Sequence, residues 1–480
     1  MIARLALAAL FLAIAPAVAQ DAPDWATPKL MSDLEKLREK GLADRVGYDM
    51  VEDLTTRVGP RVAGTPEEAR ARDWAVAYMK RLGFANVRVE PFDVRLWTRG
   101  KERVEILKPF PQPLVATTLG HSVATPEGGV EGEIVRFPTL TALRDAPMTG
   151  LEGKIVFVDE PMTRTMDGSG YGVAVAKRSG AAVEAGKRGA VAALIRSVGT
   201  QAHRMPHTGG MYYAKDVTPV PIAALSPPDA DQLARMLDLD EGPVVVAVEL
   251  EASGGGRTDA DETGGLPGAD IMYKASSGNV IAEIPGETDE IVIIGAHLDS
   301  WDLGTGAIDD GAGVGIVAAA AKLVGDLPGK PKRTIRVVFY GSEEVGLVGA
   351  RAYAQQHADE LDKHVIGSES DFGAGPIWRF QSRWGEAALA EAKPVFLEAL
   401  EPLGVLPGDN MASGGPDMSP LRQMGVPVAT LAQNGLDYFD LHHTPDDTFD
   451  KIDADDFAQN VAAWAVFLRI ATEAPVDYRK

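Results

Sequence analysis

Gly295-Ala-His-Leu-Asp-Ser-Trp-Asp-Leu-Gly-Thr-Gly-Ala-Ile-Asp-Asp-Gly311 is the stretch whose reading decides the fold. The run before it, Ile291-Val-Ile-Ile294, is wholly apolar and reads as a strand buried on both faces, as in a parallel sheet. The alanine-rich run after it, Ala312 to Val324, reads as a helix. His297, Asp299 and Asp309 therefore fall in loops where a strand ends and a helix begins, the edge at which open α/β sheets bind ligands. An imidazole and several carboxylates crowded there repel one another unless a cation holds them. The expected cation is a metal, as a pair of ions.

The same pattern recurs downstream. Thr334-Ile-Arg-Val-Val-Phe-Tyr340 reads as a strand and ends in Gly341-Ser-Glu-Glu-Val-Gly346. Glu343 and Glu344 are adjacent and point in different directions, so one can bind metal while the other faces substrate as a base. Val365-Ile-Gly-Ser-Glu-Ser-Asp371 is again an apolar strand that ends in acid, and Tyr438-Phe-Asp-Leu-His-His-Thr-Pro-Asp-Asp-Thr448 brings histidine late in the chain. Asp299, two residues beyond His297, can accept the second imidazole N–H and fix the tautomer that binds metal. Asp309 has two carboxylate oxygens and can bridge two ions. There is no cysteine, so disulfides and thiolate chemistry are excluded and any metal is held by His, Asp and Glu.

Upstream, Trp25 to Asp53 reads as helical. Thr65-Pro-Glu-Glu68 has the N-cap, first-turn proline and third-position glutamate of a helix start. That helix carries Ala71, Trp74, Tyr78 and Leu82 on one face, and Asn86 to Phe92 follows as a strand. From about Pro109 the composition shifts to frequent proline and glycine with short strands. Residues 110–265 are expected to form an inserted domain that closes in the glycine-rich loop 252–265. Within it, Pro219-Val-Pro-Ile222 is expected at a sheet edge, because its prolines cannot donate to a ladder.

The chain has 480 residues, enough for two domains. Its 47 Lys and Arg against 69 Asp and Glu give a formal charge of -22, a poor surface for nucleic acid. Arg4, the apolar Leu5 to Ile14 and the small-residue Ala17-Val-Ala19 read as a signal peptide over residues 1–19. The mature chain has no other segment suited to cross a membrane, so a periplasmic or secreted protein is expected. Expected partners are a small peptide substrate and, at most, a second copy of the chain as a homodimer.

The order His297-x-Asp299, Asp309-Asp310-Gly311, Glu343-Glu344, Asp371 and His443 resembles the M28 family of zinc peptidases. Thr55 to Gly64 resembles that family's opening segment, and residues 110–265, notably Gly153-Lys-Ile-Val156, resemble its inserted protease-associated domain. The resemblance implies an α/β fold with a mixed, mostly parallel central sheet flanked by helices, formed by residues 20–109 and 266–480. It implies two Zn2+ per chain: His297 and Asp371 on one, Glu344 and His443 on the other, and Asp309 bridging. Glu343 is then the general base and Asp299 the group that orients His297. His442 stands where several relatives carry Tyr and is expected to stabilise the oxyanion or to act as a supporting hydrogen bonder. Asp417 could meet an α-amine, and Arg379 or Arg383 a carboxylate. The implied activity is hydrolysis of small unblocked peptides. The resemblance leaves two rivals: a single-zinc glutaminyl-peptide cyclotransferase and a receptor-like scaffold, which predicts missing ligands. His121, His203 and His207 are expected on the surface or in loops, although His207 could reach the active-site mouth, because inserted domains of this kind often cap it.

Overall fold

Among the residues that the computed structural model describes, 23–256 and 273–480, the strands form two eight-stranded sheets. The proposed signal peptide and part of the 252–265 loop lie outside them. The first sheet runs, in spatial order, Ala85–Arg95, Lys274–Ile284, Thr334–Tyr340, Ile291–His297, His364–Glu369, Val428–Gln433, Ile377–Arg383 and Leu406–Pro407. Its centre is parallel: Ile291–His297 pairs with both Thr334–Tyr340 and His364–Glu369, and the latter pairs with Val428–Gln433. Antiparallel strands flank this centre on both sides, so the sheet is mixed. The wholly apolar runs sit here because both faces are covered. Every residue of Ile291–His297 is buried.

The helix Ala312–Gly325, buried along most of its length, packs on one face together with Ala454–Glu473. Pro66–Arg81 starts as its sequence predicts, with Glu68 N–H donating to Thr65 Oγ1 at 3.2 Å. Register fixes what the parallel centre displays. His297 lies beside Tyr340 and Gly295 beside Glu369, so the acid-bearing strand ends emerge at one edge.

The second sheet runs Gln112–Leu114, Thr98–Lys108, Val245–Ser253, Val130–Phe137, Ile155–Val158, Ala192–Arg196, Ile222–Leu225 and Ala116–Thr118. Two expectations need correction. Thr98–Lys108 pairs with Val245–Ser253 in this sheet, so the second unit begins before residue 110. The strand's buried Val104 and Ile106 alternate as a half-buried strand requires, whereas the boundary was placed by the proline-rich composition after it. Pro219 to Pro221 precede a strand that lies inside the sheet, between Ala192–Arg196 and Ala116–Thr118. Their missing N–H groups fall outside the ladder.

Candidate metal centre

The strand edge gathers the predicted ligands around one carboxylate. Asp309 Oδ1 lies 2.9 Å from His297 Nε2, and Asp309 Oδ2 lies 3.1 Å from His443 Nε2. Each histidine has a second acid beside it. Asp371 Oδ1 is 3.5 Å from His297 Nε2, and Glu344 Oε2 is 2.9 Å from His443 Nε2. The donor atoms form two compact groups that share Asp309: His297, Asp309 and Asp371, and Asp309, His442 and His443. Asp309 Oδ2 and Glu344 Oε1 are buried without a hydrogen-bond donor. Orphaned carboxylate oxygens facing imidazoles fit a cation, and the all-nitrogen and oxygen donor set suits zinc.

The electrostatics agree. Burial, together with the carboxylates of Asp371, Glu344 and Asp299, pushes Glu343 well above the ordinary carboxylate range. Asp309 goes the other way: against its burial, the imidazoles of His297 and His443 hold it well below. Crowded acids that share two imidazoles are the environment a divalent ion neutralises.

His297 Nδ1 faces the backbone carbonyl of Asp299 at 2.9 Å, so that nitrogen carries the proton and Nε2 is free for metal. The expectation that the Asp299 carboxylate orients His297 is thereby corrected. That carboxylate is 3.7 Å from Nδ1 and instead accepts the N–H groups of Glu343 at 3.0 Å and Glu344 at 3.3 Å. It fixes the turn on which both glutamates ride. His442 is stacked on His443, with ring centroids 3.5 Å apart, and its Nε2 lies 3.6 Å from Asp309 Oδ2. Burial first, then His443, holds its imidazole neutral.

Asp310 is fully buried and accepts the N–H groups of His297 and Gly313, both at 3.1 Å. Asp447 accepts Ile308 N–H at 2.6 Å, next to Asp309. Arg61, fully buried, donates to the carbonyls of Leu298, Gly59, Thr305 and Gly306 and so spans the loop between His297 and Asp309. Asp417 is buried against Glu369 and does not line the cavity, so it is not placed to meet a substrate amine. Arg383 donates to the carbonyls of Ala412 and Met411, whereas Arg379 does line the cavity.

The second unit closes over this edge. A cavity of about 620 Å³ is bounded by Glu343, Asp371 and His443 from the first unit and by Tyr171, Arg178 and Tyr212 from the second. His207 is buried, and its Nδ1 sits 2.6 Å from the His442 carbonyl. Thr208 donates its N–H to the His443 carbonyl at 3.0 Å and offers its own carbonyl 3.3 Å from His443 Nδ1. His443 holds a left-handed φ of 62°, unusual for a residue with a side chain, and this clasp retains it. The three histidines expected at the surface or in loops all lie outside helices and strands; His203 is exposed, and His121 and His207 are buried.

Comparison with known proteins gives the same answer as the geometry. The profile of Peptidase family M28 matches residues 279–468. Carboxypeptidase Q of Bos taurus is 33% identical over 430 residues, 89% of this chain and 85% of that protein. A crystal structure of a Peptidase M28 precursor from Shewanella amazonensis SB2B is 49% identical, with a TM-score of 0.88, covering 94% of this chain and 98% of that one. BSAP, a zinc aminopeptidase from Bacillus subtilis, shares the fold at 19% identity, with a TM-score of 0.60 over 88% of this chain and 94% of that one. The chain belongs to peptidase family M28 and is a metallopeptidase, a hydrolase. The scaffold reading predicts gaps in the donor set, and the five expected donors are gathered at this strand edge.

Proposed function

We propose that this M28 peptidase is an exported exopeptidase that holds two zinc ions and hydrolyses small unblocked peptides. The observation that carries the reading is Asp309, which presents one oxygen to each of two histidines, with a further acid beside each. His297, Asp371 and Asp309 would hold one ion, and Glu344, His443 and Asp309 the other. Similarity to carboxypeptidase Q over most of the chain supports a peptide substrate with a free terminus. The cavity of about 620 Å³ supports a short one. Residues 98–253 are read as the protease-associated insert that caps the site. Export rests on the sequence of residues 1–19.

When bound, the ions supply Lewis-acid polarisation of the scissile carbonyl and an activated water. The side chains do the rest. Glu343, made more basic by its burial and its acidic neighbours, takes the proton of the attacking water as a carboxylate and delivers it to the leaving amine. Asp299 holds the Glu343–Glu344 turn so that one glutamate faces the metals and the other the substrate. His442, neutral and lining the cavity, would donate a hydrogen bond to the developing oxyanion.

The test is Glu343→Gln. It is expected to retain two zinc ions per chain while dipeptide turnover falls by about 10²–10⁴. Near-normal turnover in that variant removes Glu343 from the mechanism. One ion per wild-type chain would favour the cyclotransferase reading instead.

A further inference from the structure

We propose that Arg178 of the second unit is the anchor for the substrate's terminal carboxylate, which makes this a carboxypeptidase or dipeptidase rather than an aminopeptidase. The inference rests on the peptidase reading above and decides the polarity which that reading leaves open.

Arg178 is 4% exposed, in the helix Lys177–Lys187, and borders the cavity. Among the described residues, no carboxylate lies within ion-pair distance of it. Its Nη1 donates to Tyr171 Oη at 2.9 Å, its Nη2 sits 3.3 Å from His443 Nδ1, and its Nε has no partner. Other buried arginines are compensated. Arg99 pairs with Glu102 and Asp302, Arg336 with Glu283 and Glu360, Arg469 with Asp33 and Glu473, and Arg61 has four carbonyls. A buried guanidinium without an anion is costly, so it persists where an anion arrives from outside.

The contact with His443 strengthens the case. His443 Nε2 faces Asp309 and Glu344, and a metal there takes its lone pair. Nδ1 then carries the proton, which the Thr208 carbonyl is placed to accept. A guanidinium facing that N–H finds no acceptor, so Nη2 is left as a donor without a protein partner. A carboxylate that reaches it makes a charge-assisted hydrogen bond.

The position is also built for this side chain. A Cβ on Gly209 would approach Arg178 Cζ and Nη1 to 2.3 Å, and Gly209 has a φ of 136°, so glycine leaves the room the guanidinium occupies. Tyr171, stacked on Phe439, fixes the Nη1 side. Arg178 and Glu343 line the same cavity, so a carboxylate one residue beyond a carbonyl held at Glu343, about 3.8 Å further along the chain, stays within it.

Three substrates test this: a dipeptide, its C-terminal amide and its N-acetylated form, with kcat and KM measured for wild type, R178Q and R178K and zinc content measured for each protein. Wild type is expected to prefer the free acid over the amide by about 100-fold in kcat/KM and to tolerate N-acetylation better than amidation. In R178Q that preference is expected to collapse, chiefly through a KM for the free acid raised about 100-fold, with two zinc ions retained. R178K keeps the charge without the fork and is expected to fall between; if R178Q does not fold, R178K carries the same readout. An unchanged acid-to-amide ratio in the variants, or a wild type that prefers the amide, overturns the proposal and leaves the peptidase reading standing. Loss of zinc in R178Q also overturns it, because Arg178 then acts by supporting His443. Cleavage of none of the three by wild type overturns the small-peptide reading and the proposal with it.

Discussion

Replacing Arg61 by Met should disable the metal loop from behind. The guanidinium donates to four backbone carbonyls, at 3.2 Å to Gly59, 2.7 Å to Thr305, 2.7 Å to Gly306, and to Leu298. Methionine fills the volume and donates nothing, so four acceptors in a fully buried site lose their donor. Each costs about 1–3 kcal/mol, a gross loss of roughly 4–12 kcal/mol. Relief of the buried charge returns several kcal/mol of that. The net expectation is a destabilisation of about 3–5 kcal/mol. The acceptors flank His297 and Asp309, so slack in them should also weaken zinc binding by about 10–100-fold, the usual effect of removing a group that supports a ligand. Arg61→Lys should rescue only part, since one ammonium cannot reach four carbonyls. Urea unfolding and competitive zinc titration measure both effects. A variant within about 1 kcal/mol of wild type, with unchanged zinc affinity, would refute the reasoning.

Two further outcomes follow from burial and charge. Zinc binds the folded site and not the unfolded chain, so chelation should lower thermal stability by an amount that rises with free zinc, about 4 kcal/mol at 1,000 times Kd; superimposable melts with and without zinc would contradict it. Burial raises Glu68 from 4.5 to about 7 in spite of Arg72. Between those values the folded chain holds a proton that the unfolded chain has released, so stability should fall as pH rises through the window, by up to about 1.4 kcal/mol per unit, and level off above it. Glu68→Gln should flatten that slope, and an identical slope in both proteins would show that Glu68 does not titrate there.

The sheet could be read from the sequence because each ligand rides on a signal of its own. An apolar run that ends in acid marks His297, Glu344 and Asp371 without any knowledge of their neighbours, and parallel register brings those ends to one edge. What holds the ligands was not legible. Arg61 meets Thr305 across 244 residues, and His207 meets His442 across 235, with no local pattern to link them. Arg61 does stand in the segment from Thr55 to Gly64 already noted for its likeness to M28 peptidases, the one signal that could have drawn attention to it. Asp310 looked ordinary because one Asp at a helix start usually is; only its burial distinguishes it. Arg178 carries no signal of its own, since nothing in a sequence says that a second sheet turns that residue inward.

The Thr208 clasp on His443 has a consequence in time. As the chain leaves the ribosome, His297, Asp309 and Asp371 appear well before His443, and the Thr208 that grips His443 appears before them all. Every nascent chain that stops short of His443 has an empty clasp and lacks the ligand that completes the second group of donors. Competence therefore arrives as one late event rather than in stages. A peptidase assembled in this order completes its donor set only near the end of its own synthesis.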